Sequence, residues 1–253
     1  ADFDRMLDSL SHRGPDGRGV RQLEDGRVVL GHRRLAIIDR TPAGAQPLAN
    51  EDGSIWLTLN GEIYNYRSLR SELVGLGHSF RSQSDSEAVI HAYEEWGSDC
   101  LRRLRGIFAF GLWDGVRKAL LLARDGMGVK PMYYARYADR FTFASQPKAI
   151  VGDPGFERNL SPTAFGSFLA FGYVPFDQAI FGGMAKLPAG HFAVFDGHRL
   201  TISCFSPDAE VPHFSGIDEA LDAVDTGLGD AVAAQLVSDV PVGCFLSGGI
   251  DSS

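Results

Sequence analysis

The chain has 253 residues, 44% apolar and 22% charged, and its 24 basic and 32 acidic side chains leave a formal charge of −8 with a pI near 5.3. That balance, with no basic cluster longer than Arg102-Arg103, excludes a nucleic-acid partner; the lack of any run near twenty apolar residues, and of a signal pattern, excludes a membrane segment and implies the cytoplasm. Cys100, Cys204 and Cys244 are odd in number, far apart and without a C-x-x-C pair, which argues against a disulfide framework and against a zinc site. None has a neighbouring His or helix start to make it a nucleophile, and Cys244, within V-G-C-F-L, reads as core packing.

Met6, Leu7 and Leu10 give residues 4–10 near-helical spacing, which stops at S-H-R-G-P-D-G, a loop with a defined path. Residues 27–30 and 35–38 read as apolar strand pieces flanking Gly31-His32-Arg33-Arg34. Arg34, beside Leu35, Ala36, Ile37 and Ile38, is either solvated or a bidentate clamp for a carboxylate. A Pro/Gly-rich loop over 41–53 leads into a strand in which Ile55, Leu57 and Leu59 alternate with Ser54, Trp56 and Thr58, and which is expected to end in a turn at Asn60-Gly61. Asn60 brings amide donors and Gly61 an unobstructed backbone N–H, and two adjacent donors at a rigid strand end suit the oxyanion of acyl transfer. The same dipeptide is also the commonest short hairpin turn.

Helices are expected over 68–75, with Leu69, Leu73 and Leu76 on one side and Gly77 as the stop, and from Ser84-Asp85-Ser86-Glu87 to Trp96. Asp85 there is either a cap or the partner of a ligand ammonium. From residue 107 short, aromatic-rich strands alternate with turns (107–114, 119–125, 132–137, 141–145), as in antiparallel sheets packed face to face. Helical patches follow at 147–151 and 162–170, then strands at 191–196 and 199–205. Residues 206–216, polar and with two prolines, read as the linker between a first domain (1–205) and the beginning of a second (217–253). Leu221, Val224, Leu228, Val232 and Leu236 give 217–237 helical spacing, and V-P-V-G-C-F-L at 240–246 reads as a fully buried parallel strand. It runs into Ser247-Gly248-Gly249-Ile250-Asp251-Ser252-Ser253, either a plain turn or a phosphate cradle. In the cradle reading backbone N–H groups and serines meet phosphate oxygens, Asp251 suits magnesium, and the Lys of a Walker A loop is missing.

H-R-G-P-D-G, G-H-R-R-L-A-I-I-D, G-A-Q-P-L, L-N-G-E-I-Y-N-Y, S-D-S-E, F-A-F-G-L-W-D, R-D-G-M-G-V-K-P-M-Y-Y, L-P-A-G-H and L-S-G-G-I-D-S-S stand in the order found in glutamine-dependent asparagine synthetases. The chain resembles that family over essentially its whole length. The resemblance implies an α+β architecture: a four-layer αββα glutaminase of the N-terminal-nucleophile type (class II glutamine amidotransferase), then the beginning of an ATP pyrophosphatase-like α/β (PP-loop) synthetase domain. It implies that glutamine is hydrolysed to ammonia, which passes through an internal tunnel to a β-aspartyl-adenylate made from aspartate and ATP.

Carried across by motif, Arg34 clamps the glutamine carboxylate, with Leu35, Ala36, Ile37 and Ile38 supporting that wall. Asn60 and Gly61 form the oxyanion hole, and Glu62 and Asp85 hold the substrate, Asp85 facing its ammonium. Phe245 and Leu246 meet the nucleotide's base and ribose, while Ser247, Gly248, Gly249, Asp251, Ser252 and Ser253 bind the pyrophosphate and its magnesium. The resemblance implies no prosthetic group, and family members are often homodimers.

Two departures stand out. The family's nucleophile is an N-terminal cysteine whose α-amino group is its base, whereas residue 1 is Ala; a cysteine and an opening strand are expected ahead of it, and more of the synthetase domain after Ser253. Ser145-Gln146 stands where the family has Ser-Glu. The scaffold also serves β-lactam synthetases and peptide cyclases, and a non-catalytic module that binds glutamine or a partner is a further reading. The retention of Arg34, Asn60, Gly61 and Asp85 argues for a working glutaminase pocket.

Overall fold

Alternation of side chains along a few strands sorts this molecule into layers. In a computed structural model, which describes residues 2–206 and 212–250, the chain begins with α1 (Asp2–Asp8), β1 (Gly17–Leu23) and β2 (Val28–Arg34). It continues through β3 (Leu48–Ala49), β4 (Ile55–Ile63), α2 (Tyr66–Gly75), α3 (Asp85–Trp96), β5 (Gly106–Asp114) and β6 (Ala119–Arg124). After β7 (Tyr133–Tyr137), β8 (Arg140–Ala144), α4 (Pro147–Val151) and α5 (Pro162–Phe171) come β9 (Met184–Lys186), β10 (His191–Phe195), β11 (Leu200–Cys204) and α6 (Ile217–Gln235).

Six of these strands make one antiparallel sheet in the order β11-β10-β6-β5-β4-β3; β8-β7-β9 and β1-β2 make two smaller ones. The register sets Leu57 opposite Leu112 and Leu59 opposite Phe110, so the period of two sends these four to the same face. There they pack with Leu69 and Leu73 of α2 and Val89 and Ile90 of α3. The odd residues of β5 and even residues of β6, among them Trp113, Leu120 and Leu122, face the other way and meet Tyr134, Phe141 and Phe143 of the smaller sheet. Gly111 leaves the room that the Phe143 ring fills. Ala149 and Ile150 of α4 cover the far side of that sheet beside Met184. The result is helix, sheet, sheet, helix, the αββα stack that the family resemblance implied. Each fully buried leucine of these layers contributes about 1.5–3 kcal/mol.

Several expectations are corrected. Strand β4 does not end at Asn60-Gly61 but continues to Ile63, paired with β5 throughout, so the dipeptide is not a hairpin turn. Glycine is required in mid-strand because Gly61 has φ +144° and a Cβ there would overlap the Ile107 carbonyl oxygen. The strand expected on both sides of G-H-R-R is a single strand running through it, and residues 35–38 are irregular, leaving Leu35 exposed. Helix α2 starts two residues early and Leu76 lies outside it in solvent. Residues 240–246 form no strand, and Val242, Cys244, Phe245 and Leu246 are exposed. A parallel strand obtains its hydrogen bonds from neighbours, and none flanks this segment among the described residues. Cys204 is exposed too, while Cys100 is buried, and burial pushes its thiol up to about 12. Among the described residues no helix is long and apolar enough to cross a membrane.

Candidate active site

The register of β4 makes a donor. Phe108, opposite Gly61, gives its N–H to the Asp125 carboxylate (3.2 Å) and its carbonyl to the Asp125 N–H (2.8 Å), so neither is left for Gly61. The N–H groups of Leu59, Gly61 and Ile63 therefore point away from β5, along the open edge of β4. The first is capped by Gln46 Oε1 at 2.6 Å and the third by Asp85 Oδ2 at 2.9 Å. Between them the Gly61 N–H has no partner among the described residues, and neither has the Asn60 side-chain amide. Two adjacent donors thus stand unengaged on a strand whose neighbours on that edge are both fastened.

The fastening groups come from two distant segments. Gln46, in the loop before β3, also donates from Nε2 to Ser86 Oγ (3.1 Å), tying β4 to the start of α3. His32 of β2 lies 3.0 Å by Nε2 from the Leu59 carbonyl oxygen; a carbonyl only accepts, so Nε2 carries the proton. Burial holds this imidazole down at about 4, so it is neutral at physiological pH, and its bare Nδ1 is buried without a partner.

Helix α3 starts where Ser84 Oγ accepts from Ser86 N (3.2 Å), so Ser84, not Asp85, is the cap. That leaves the Asp85 carboxylate for β4. Its pKa is pushed up to about 6, first by burial and further by the Glu62 charge, against the hydrogen bonds from the Ile63 and Ser86 N–H groups. Glu62 is itself raised by burial, which the Lys130 charge opposes. Across the site, Arg34 donates to the carbonyls of Thr41 (3.1 Å), Ile38 (3.3 Å) and Asp39, which bends residues 38–41 around the guanidinium and leaves its remaining donors for a ligand.

These groups enclose a cavity of about 310 Å³, at the small end of ligand pockets and of a size for one amino acid. Of the nine residues expected to hold glutamine, Arg34, Leu35, Ile37, Ile38, Asn60, Gly61, Glu62 and Asp85 line it. Ala36 does not, and its N–H donates to Asp16 Oδ2 at 2.9 Å. His32, Gln46, Lys130, His12 and Arg13 also line the cavity. None of these was assigned a role from sequence, although each lies in one of the motifs already quoted. A larger hollow, about 470 Å³, between β7 and α4 shares no lining residue with this one and has no acidic side chain. Cys100, Cys204 and Cys244 do not line the cavity. Of the residues expected to bind nucleotide, Phe245, Leu246, Ser247, Gly248 and Gly249 are exposed. Asp251, Ser252 and Ser253, with the expected magnesium ligand, lie outside the described residues.

Residues 1–206 match the family described as "Glutamine amidotransferase domain". This chain belongs to that family. A second match, to the family described as "Asparagine synthase", covers residues 223–253 of this glutamine amidotransferase chain. Among curated relatives, "Asparagine synthetase [glutamine-hydrolyzing] 3" of Bacillus subtilis (strain 168) is 39% identical over 255 residues, 99% of this chain and 41% of that protein. "Amidase chry2" of Gibberella zeae is 35% identical over 271 residues, 100% of this chain and 38% of that protein. The amidotransferase chain thus spans about two fifths of the length of these relatives. Among solved structures, the glutamine phosphoribosylpyrophosphate amidotransferase of B. subtilis superposes with a TM-score of 0.60 at 20% identity, over 81% of this chain and 46% of that one. That likeness establishes a shared fold.

Proposed function

We propose that residues 1–205 form a glutaminase domain and residues 217–253 begin a synthetase domain, joined by 206–216, in a glutamine-dependent asparagine synthetase. The observation that carries this reading is the unengaged Gly61 N–H, beside the Asn60 amide, facing a cavity with a guanidinium on one wall and two carboxylates on the other. Arg34 binds the α-carboxylate of glutamine. Asp85 and Glu62 receive its ammonium, which offsets the burial that raises both. The side-chain amide carbon then lies toward Asn60 and Gly61. A thiolate attacks that carbon, and the carbonyl oxygen, now an oxyanion, is held by the Gly61 N–H and Asn60 Nδ2. Collapse breaks the C–N bond, the leaving nitrogen takes a proton and departs as ammonia, and water hydrolyses the thioester to glutamate and free thiol.

The attacking thiol comes from outside the described residues, since none of the three cysteines lines the cavity. Ammonia released here amidates aspartate activated by ATP, and Asp251 would hold a magnesium ion that would offset the phosphate charge. The second match and the synthetase relative support that half of the reading. The likeness to "Amidase chry2" of Gibberella zeae keeps a different product on the same scaffold in view.

The test is the full-length protein assayed with glutamine, aspartate and ATP, expecting glutamate and asparagine in equal amounts. Ammonia release with AMP formed only from another carboxylic acid transfers the assignment to the second product class. No glutamine hydrolysis at all overturns the glutaminase. Asn60→Ala lowers kcat for glutamine by about 10²–10³-fold with little change in KM, because its donor matters most once the oxyanion has formed.

A further inference from the structure

Two histidines and a glutamate meet away from the cavity, on the flank of α3. Helix α2 ends with the Gly77 N–H on the Val74 carbonyl and the His78 N–H on the Leu73 carbonyl (both 3.0 Å), and this turn brings the His78 ring back onto α3. His91 and Glu94 lie three residues apart on α3 and so share a face. Nδ1 of His91 is 2.7 Å and Nδ1 of His78 is 3.5 Å from the same oxygen, Glu94 Oε2. One ligand atom from each of the three lies within 4.8 Å of the others. Ligand atoms on a tetrahedral zinc at about 2.0–2.2 Å are separated by roughly 3.4 Å, so a cation fits once the shortest pair opens and the widest closes, each by side-chain rotation.

What separates this cluster from a chance group of acids is the shell behind it. Asn50 Nδ2 holds the other oxygen of Glu94 at 2.8 Å, leaving Oε2 as a single ligand atom. Glu95 Oε2 stands 3.3 Å from the far nitrogen of His78. Glu87 Oε1 stands 3.7 Å from the far nitrogen of His91, a nitrogen that is buried and without a hydrogen-bond partner in the present arrangement. Glu94 and His78 thus each have a second group placed to orient them, and Glu87 lies one small closure from doing the same for His91; a carboxylate behind a histidine is the arrangement that sets the tautomer and raises ligand basicity at metal sites. The Phe80 ring closes one side, its centroid 4.5 Å from that of His91. The cysteines argued against zinc; the histidines argue for it.

We infer that His78, His91 and Glu94 bind one divalent transition-metal cation of the zinc class, with a water in the fourth position, and that the cation clips the loop after α2 to α3. The donor set of two imidazoles and one carboxylate selects zinc, cobalt or nickel over magnesium or calcium. The clip acts on the helix whose first turn holds Asp85, but none of its ligands lines the cavity, so the inference stands independently of the glutaminase reading.

The full chain, stripped with a chelator and dialysed against Zn(II), takes up one equivalent with micromolar or tighter affinity. Co(II) in its place gives a visible d–d absorption, and either metal raises the melting temperature. His78→Ala, a loop substitution that leaves the core intact, loses that equivalent and the absorption while the melting temperature of the stripped protein is unchanged. Glu95→Gln, behind His78, weakens binding by about 10–100-fold. Absence of stoichiometric uptake overturns the site, as does uptake that survives both His78→Ala and Glu94→Gln.

Discussion

A carboxylate buried beside another carboxylate is unstable until a cation arrives, and Asp85 is in that position. Its folded pKa, at about 6, lies above the 3.8 of a free aspartate. The folded chain therefore binds a proton at this carboxyl more tightly than the unfolded one, so the stability this group contributes is fully present below about pH 4 and is lost as pH rises through about 6. Asp85→Asn keeps an acceptor for the Ile63 N–H and removes the charge. The expected outcome, read from urea midpoints, is about 1–3 kcal/mol of added stability at pH 8, vanishing by pH 4. The same variant loses glutamine binding, since the ammonium loses its partner. A variant less stable than wild type at pH 8 contradicts the account. Glutamine use itself should improve as pH rises past about 6, when Asp85 ionises. The Asn60-Gly61 and Asp85 pairings were open alternatives in the sequence because each residue type also makes turns or caps. What settles their geometry is the register of β4 against β5 and the cap at Ser84, and neither is local to the residues concerned. His32 and Gln46 were invisible as site residues for the same reason: their partner is a backbone group of Leu59, which no sequence pattern marks.

At the scale of elements, legibility follows either solvent contrast or clean boundaries. Strand β4 was readable from its alternation, whereas β5, β6 and most of α3 are buried on every side and were readable as apolar runs bounded by turn and cap residues. Strand β1 was missed because its residues are mostly exposed, and the apolar run at 240–246 misled because hydrophobicity alone does not supply a neighbour to pair with. The motif R-D-G-M-G-V-K-P read as a turn between strands, and the structure gives its mechanism. Asp125 is 1% exposed and accepts from the N–H groups of Phe108, Met127, Val129 and Lys130 at 3.0–3.2 Å, so one carboxylate folds the loop and pins it to β5. Asp125→Ala leaves those buried donors unmatched, at about 1–3 kcal/mol for each that water does not reach. Denaturant unfolding should give a loss of at least about 3 kcal/mol. A loss under 1 kcal/mol contradicts the pinning role. Because Phe108 faces Gly61 across the ladder, the same variant should also weaken glutamine turnover.

At the scale of the whole molecule, the segment after α6 is tied back to the wall of the cavity. Helix α6 buries none of its residues, and Leu221, Val224, Leu228 and Val232 leave an apolar stripe in solvent. Just past it the chain returns to the amidotransferase domain: Val237 packs on the core beneath α2 and α3, and Asp239 straddles the cavity wall. The Asp239 carboxylate accepts from the Asp39 N–H at 2.8 Å, and the Asp239 N–H donates to the Ile37 carbonyl at 3.2 Å. Ile38 and Asp39 are also where Arg34 is anchored, so the segment after α6 holds the wall that positions the Arg34 guanidinium. A displacement of that segment therefore reaches the proposed glutamine cavity through the two hydrogen bonds of Asp239. Asp239→Ala deletes the side-chain bond and keeps the backbone one. One such bond is about 1 kcal/mol, and the wall binds substrate before and during the reaction alike. The expected change is thus a rise of about 5-fold in KM for glutamine with kcat preserved, measured by glutamate release from the full-length protein, and an unaltered melting temperature. A fall in kcat with KM unchanged places Asp239 instead among the groups that act on the transition state, and the coupling through the Arg34 wall is then wrong.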